Sequence, residues 1–310
     1  MTLGAVICAY TFDRYEELKA AVASLRAQTH QLERIVVVID HNDELLAGAT
    51  AEFGEHATVI ANTGKQGLSG ARNSGVAAID TDVIAFLDDD ASAAPEWAER
   101  VIGHYADATV IGAGGFVESD WETERPEWFP REFEWVVGCS YTGMPDSVAE
   151  VRNLIGANMS LRADVFERVG DFSTEVGRVG TKPLGCEETE LCIRALKDRP
   201  DARIVYDPAA RVKHKVTPAR TKFSYFRERC YLEGVSKAHV VKLAGAGAGL
   251  SSERSYTAKV LPLGVLRGLA APIAKRDLAG PARAAAIVIG LALTTAGFIR
   301  GRLFPLQAAA

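Results

Sequence analysis

The sequence predicts an α/β protein, a mostly parallel sheet flanked by helices, with a basic and apolar helical appendage towards its C-terminal end. Three observations carry that expectation. Short uncharged β-prone runs alternate with helical periodicity over the first hundred residues. One of those runs, Val-Ile-Ala-Phe-Leu at 83–87, stops on three consecutive carboxylates, Asp88, Asp89 and Asp90. The charge of the chain then reverses: residues 1–210 hold 18 Lys and Arg against 36 Asp and Glu, whereas residues 211–310 hold 17 against 4.

The elements follow in order. Leu3–Ala9 is an apolar first strand, and with no basic start before it no signal peptide is expected. Residues 14–28 place Leu18, Val22 and Leu25 on one helical face. Residues 35–39 form a second apolar run ending at Asp40, and Thr58–Ala61 a short third. Residues 70–79 read as a helix leading into the strand at 83–87. Pro95 suits the first turn of a further helix reaching about Tyr105. This βαβαβ rhythm predicts a parallel sheet covered by helices, whose ligands sit at the carboxyl ends of the strands.

Asp88, Asp89 and Asp90 fall at such an end. Three adjacent acids repel one another unless a cation or a polar rim relieves them; the alternative is a solvated turn. From about Gly112 to Arg152 the pattern becomes irregular. Gly114-Gly115 marks a bulge or a close backbone approach. Trp121, Trp128, Phe129, Phe133 and Trp135 either pin a long loop or form a platform for a sugar or lipid acceptor.

The length of 310 residues accommodates one large α/β domain plus an appendage. Five scattered cysteines without CxxC pairs predict a reduced, cytosolic setting and neither a disulfide framework nor a zinc site. The basic C-terminal third is interleaved with apolar stretches, which favours a membrane surface and argues against nucleic acid.

Further stretches join the aspartates: Cys8-Ala9-Tyr10-Thr11 with Arg14, Asp40-His41-Asn42, the glycine-rich run from Asn62 to Gly75, Gly156-Ala157-Asn158-Met159-Ser160, and Cys186-Glu187-Glu188-Thr189-Glu190. In this order and spacing they resemble the family-2 inverting glycosyltransferases of the GT-A fold, a Rossmann-like architecture. The resemblance spans residues 3 to about 215.

The resemblance implies a nucleotide-diphosphosugar donor, a UDP-sugar first among them, held by Ala9, Tyr10, Arg14, Asp40, Gly67, Arg72, Asn73, Asp88 and Asp89. Asp40 would accept from a base imide N–H or else serve as a turn former or helix cap, and Arg72 would touch ligand or form a salt bridge to the acids. Asp88 and Asp90 stand at the ends of the metal motif, with His214 a third partner or an ordinary surface residue. Oxygen donors there suit Mg2+ or Mn2+. The base that deprotonates the acceptor would be Glu188, where the family usually has Asp, unless Glu187-Glu188 merely complements a helix dipole. Trp121, Asn158 and Glu187 are acceptor-side candidates.

A catalytic domain is therefore expected over 1–215, a basic helical extension over 216–250 and a membrane-associated tail over 251–310. No Gln-x-x-Arg-Trp motif is present, so single-sugar transfer to a lipid-linked or glycan acceptor of the cell envelope is expected. Apolar segments at 256–273 and 284–299 follow a Gly/Ala/Ser linker at 244–252. The second has 16 uncharged residues, fewer than the roughly 20 of a span. A shallow or re-entrant hairpin on the cytoplasmic face of the membrane is expected, or packing on protein, including a homodimer partner. A sugar nucleotidyltransferase and a non-catalytic glycan-binding scaffold are the alternative functions.

Overall fold

The structure is a computed structural model describing residues 1–175, 185–245 and 255–304. These form two compact units. The first comprises Met1–Glu118, 145–175 and Glu187–His214; the second comprises Ser119–Met144, 185–186, 215–245 and 255–304. Residues 119–144, expected within the catalytic domain, thus belong with the C-terminal helices, and the extension and tail share one unit.

In the first unit, β1 (Leu3–Ala9), β2 (Arg34–Ile39), β3 (Thr58–Ala61) and β4 (Val83–Asp88) are parallel in the order β3-β2-β1-β4. Beyond β4 the sheet continues through β8 (Met159–Arg162), β6 (Val110–Trp121), β9 (Arg203–Val216) and β5 (Ala91–Ala93), while β7 (Ala149–Glu150) pairs with β9. The pairs β4–β8, β6–β8 and β5–β9 are antiparallel, so the sheet is mixed and only its first half matches the parallel expectation. Antiparallel neighbours need no helical crossover, so the βα rhythm that signals a parallel sheet fades after residue 105.

Helices α1 (Tyr15–Arg26), α2 (Asp43–Phe53), α3 (Leu68–Ala78), α4 (Trp97–His104), α5 (Ala163–Val169) and α6 (Glu187–Asp198) accompany this sheet. Leu18, Ala21, Val22 and Leu25 are the buried face of α1, as their spacing requires. Pro95 lies ahead of α4, not in it: the Trp97 N–H donates to Ala94 O, closing a turn before the helix begins. Residues 110–121 are a regular strand, contrary to the irregular segment expected. Its glycines mark a close approach, since a Cβ on Gly114 would stand 2.1 Å from Asn158 O and one on Gly115 2.1 Å from Asp207 O.

Register brings the four parallel strand ends into one row. Cys8 lies opposite Asp88 and Ala9 opposite Ile39. The Asp40 N–H donates to Ala9 O, and the Asn62 N–H to Ile39 O, both at 2.8 Å.

The second unit contains α7 (Phe223–Ala244), α8 (Leu261–Lys275, preceded by a wide turn at Tyr256–Val260) and α9 (Gly280–Leu303). Phe129, Phe133 and Phe226 are buried and pack on one another, with the Trp128 ring 5.5 Å from Phe226. Such ring pairs contribute roughly 0.5–1.5 kcal/mol each beyond burial, so the aromatic run anchors its own segment. The linker expected at 244–252 falls largely outside the described residues.

Candidate active site

The three aspartates are not a solvated turn. Asp89 and Asp90 are buried and only Asp88 is partly open. Each meets a cation from another element: Arg14 Nη1 lies 2.8 Å from Asp89 Oδ1 and 2.9 Å from Asp90 Oδ2. Arg72 Nη2 lies 3.3 Å from Asp88 Oδ1, and His214 Nε2 3.2 Å from Asp90 Oδ1. Like-charge crowding is thereby relieved by tertiary pairing.

His214 is delivered by strand register. Ala91 pairs with His214 across β5 and β9, placing the imidazole beside the residue that precedes β5. It is 3 % exposed, so it is no ordinary surface histidine. Asp88, Asp90 and His214 offer ligand atoms all within 4.8 Å of one another. Two carboxylates and an imidazole fit a divalent cation. Burial, opposed by Arg72 and reinforced by Asp88, Asp89 and Asp40, pushes the neighbouring Cys8 thiol up to about 12.

Asp40 serves the glycine-rich loop in this structure. Its Oδ1 accepts from Asn62 Nδ2 at 2.6 Å and its Oδ2 from the Gly67 N–H at 2.9 Å. The cap of α2 is instead Asn42, whose side chain accepts from the Leu45 N–H. Asn62, absent from the expected site, also accepts from the Gly64 N–H and Ser74 Oγ. Its signal was the Asn-Thr-Gly sequence, an Asx-turn former. Gly67 takes φ 121, and a Cβ on Gly70 would lie 1.8 Å from Lys65 O, so only glycine permits this tight path.

Other expected donor contacts divide. Tyr10 is exposed, its ring 4.9 Å from the Arg14 guanidinium, while Ala9 is buried and offers only its main chain. Arg14, expected on the nucleotide, is a counter-ion of the aspartates. Asn73 does not face the acids: it exchanges two 2.9 Å hydrogen bonds with the main chain of Phe172 and brackets that loop.

Arg72 is the buried hub. Its guanidinium sits 5.7 and 5.4 Å from the rings of Phe86 and Phe172, and donates to Glu187 Oε1 at 2.9 Å and to Gly156 O at 3.3 Å besides Asp88. Burial opposes its charge, but Glu187 and Asp88 outweigh that and raise its pKa. Of its two readings, the salt bridge is the observed one. Arg72→Met should strand two carboxylates and cost about 3–5 kcal/mol. Chemical denaturation checks this, and unchanged stability would refute the hub.

The acids of α6 separate by partner. Glu187 is buried on Arg72, and its Oε2 has no hydrogen-bond partner among the described residues. Glu190 is clasped by Arg194, each oxygen at 2.7 Å. Glu188 is half-buried in the first turn, where the helix dipole favours its charge. Asn158 is a correction among the acceptor candidates. It is fully buried, its amide bound by Trp97 Nε1 and by the carbonyls of Phe116 and Ala210, so it ties strands together. Trp121 lies in the second unit, donating to Ser119 Oγ with its ring 5.4 Å from Phe129.

The chain has relatives among known proteins. The family model described as Glycosyl transferase family 2 matches residues 5–170. The chain belongs to that family. A Haloferax volcanii protein named glucosyl-dolichyl phosphate glucuronosyltransferase is 33 % identical over 308 residues, covering 98 % of this chain and 97 % of its own. A Mycobacterium tuberculosis pre-mycofactocin glycosyltransferase is 28 % identical over 203 residues, 64 % of this chain and 39 % of that protein. Among solved structures, GalNAc-T7 with UDP, GalNAc and Mn2+ superposes with a TM-score of 0.53 at 15 % identity, covering 83 % of this chain and 54 % of that chain. That likeness establishes the GT-A fold. This glycosyltransferase therefore carries its aspartate triplet at the end of β4 in a family-2 domain.

Proposed function

We propose that this glycosyltransferase is a metal-dependent inverting enzyme that moves one sugar from a UDP-sugar to a lipid-linked acceptor at the cytoplasmic face of the membrane. The observation that carries the reaction is the Asp88–Asp90–His214 ligand set at the strand ends, with Glu188, half-buried in the first turn of α6, as the proposed base. The Mn2+ and UDP of the GalNAc-T7 structure support the cofactor and donor classes. The lipid-linked acceptor is supported by the name of the Haloferax volcanii relative, which aligns over nearly the whole chain. Membership of the family removes the ground for a nucleotidyltransferase.

Each residue has a chemical task. Asp88, Asp90 and His214 would hold the cation, which when bound neutralises charge on the leaving nucleoside diphosphate. Arg14 holds Asp89 and Asp90 in place, and Arg72 holds Asp88 and Glu187. Glu188 would accept the proton of the acceptor hydroxyl as that oxygen attacks the anomeric carbon and the C1–diphosphate bond breaks, which inverts the centre.

The deciding experiment supplies the purified chain with UDP-sugars, UDP-glucuronic acid included, a polyprenyl-phosphate-linked monosaccharide and Mn2+. UDP release coupled to a heavier lipid product is expected. Unchanged donor with every sugar and acceptor would point to a non-catalytic scaffold.

A further inference from the structure

Tyr256–Lys275, which is α8 with the wide turn before it, and α9 are long and apolar enough to cross a membrane by length and composition. Their packing within the second unit argues against a crossing. Gly290 of α9 lies against Phe133, where a Cβ would come within 2.4 Å of the ring, and Gly264 of α8 lies against the carboxylate of Glu132, at 2.6 Å. The first turn of α8 and the middle of α9 therefore each touch the 3-10 segment Arg131–Val137, which carries Arg131, Glu132 and Glu134.

Further along, α9 is welded to α7. A Cβ on Gly297 would meet Tyr231 O at 1.9 Å, and one on Gly234 would meet Thr294 O at 2.0 Å. At this level α7 carries the Arg229–Glu233–Lys237 network, with Glu233 bound at 2.7 and 3.2 Å. If residues 284–299 crossed the hydrocarbon, this ionic network and the carboxylates of the 3-10 segment would have to enter it too. Charged groups are costly at the bilayer centre.

The other side of each helix is apolar and open. Leu266, Leu269 and Ile273 form an exposed stripe at helical spacing on α8, and Val288, Leu291 and Ile299 do so on α9. Exposed cations accompany them at Lys259, Arg267, Lys275, Arg276, Arg300 and Arg302, while Asp277, bound by Arg283, is the sole acid in the sequence from 256 to 304. Apolar stripes with basic flanks fit an anionic leaflet.

We infer that the α8–α9 hairpin lies in the plane of the membrane, apolar stripes in an anionic leaflet and its connection at 276–279 on the same side as the rest of the chain. This rests on the membrane reading above, and the test separates the two. Sealed, inverted vesicles from expressing cells, cytoplasmic face outward, are treated with an impermeant maleimide, using Lys275→Cys at the hairpin and Lys65→Cys as control. Both should label without detergent. Labelling of Lys275→Cys only after detergent would establish a crossing and overturn the in-plane arrangement while sparing membrane association. Absence of the protein from the vesicles would overturn both, yet leave transferase activity to be measured separately. In flotation, the purified chain should bind phosphatidylglycerol-containing vesicles at least about tenfold better than pure phosphatidylcholine. The triple variant Leu266→Gln, Leu269→Gln, Ile273→Gln should lose that binding while retaining UDP-sugar binding. Equal binding to both lipids, or full binding by the triple variant, would refute the proposed surface.

Discussion

Glu188→Gln is expected to lower kcat by about 10²–10⁴-fold, the usual worth of a general base, with donor affinity nearly unchanged. The substitution keeps shape and volume and removes only the proton acceptor. Donor affinity is spared because the proposed base acts on the acceptor hydroxyl, whereas the donor is proposed to meet the aspartate row at the end of β4. Glu190→Gln is the informative companion. Glu190 already spends both oxygens on Arg194, which also donates to the carbonyl of Asp171. Its loss should therefore show in stability, with kcat little altered. Steady-state kinetics with donor and acceptor varied separately, beside thermal denaturation, distinguish the two. Equal falls in kcat for both variants, or loss of donor binding in Glu188→Gln, would refute the assignment of the base.

Asp90→Asn is expected to reduce activity by roughly 10³-fold and to remove the dependence of nucleotide binding on metal, since metal-borne charge stabilisation contributes several kcal/mol. Asp90 is buried, with Arg14 on one oxygen and His214 on the other, so Asn preserves the shape while deleting the charge. Arg14 retains Asp89, and the cost in stability should stay near 1–2 kcal/mol, that of weakening a charged hydrogen bond. Relief of like-charge repulsion would by itself predict no loss, but the counter-ions from α3 and the turn before α1 already provide that relief. Titration of UDP binding with and without Mn2+ is the measurement. Wild-type activity undiminished in excess chelator would sink the metal-dependent mechanism.

The parallel half of the fold was legible because its signals are local. Apolar runs ending at Ala9, Asp40, Ala61 and the aspartates became β1, β2, β3 and β4, and the face marked by Leu18, Val22 and Leu25 became the buried side of α1. The antiparallel half was missed from residue 112 onward. Its strands pair with partners up to about 120 residues away, and β6 carries glycines chosen for backbone approach, which mimic a loop signal.

The site divides along the same line. The sequence by itself determined which chemistry is present: an acidic triplet after a buried strand, a glycine-rich turn, paired glutamates opening a helix, and a basic apolar end. Those are properties of neighbours in the chain. Only the tertiary structure decided who faces whom. It turned Arg14 from a nucleotide contact into a counter-ion, Asn73 and Asn158 into brackets, and Asp40 into the clasp of its own loop. It brought His214 to Asp90 across 124 positions and Arg72 to Glu187 across 115. A charge or amide records what it can bind, but burial and strand register choose its partner, and register is set by contacts remote in sequence.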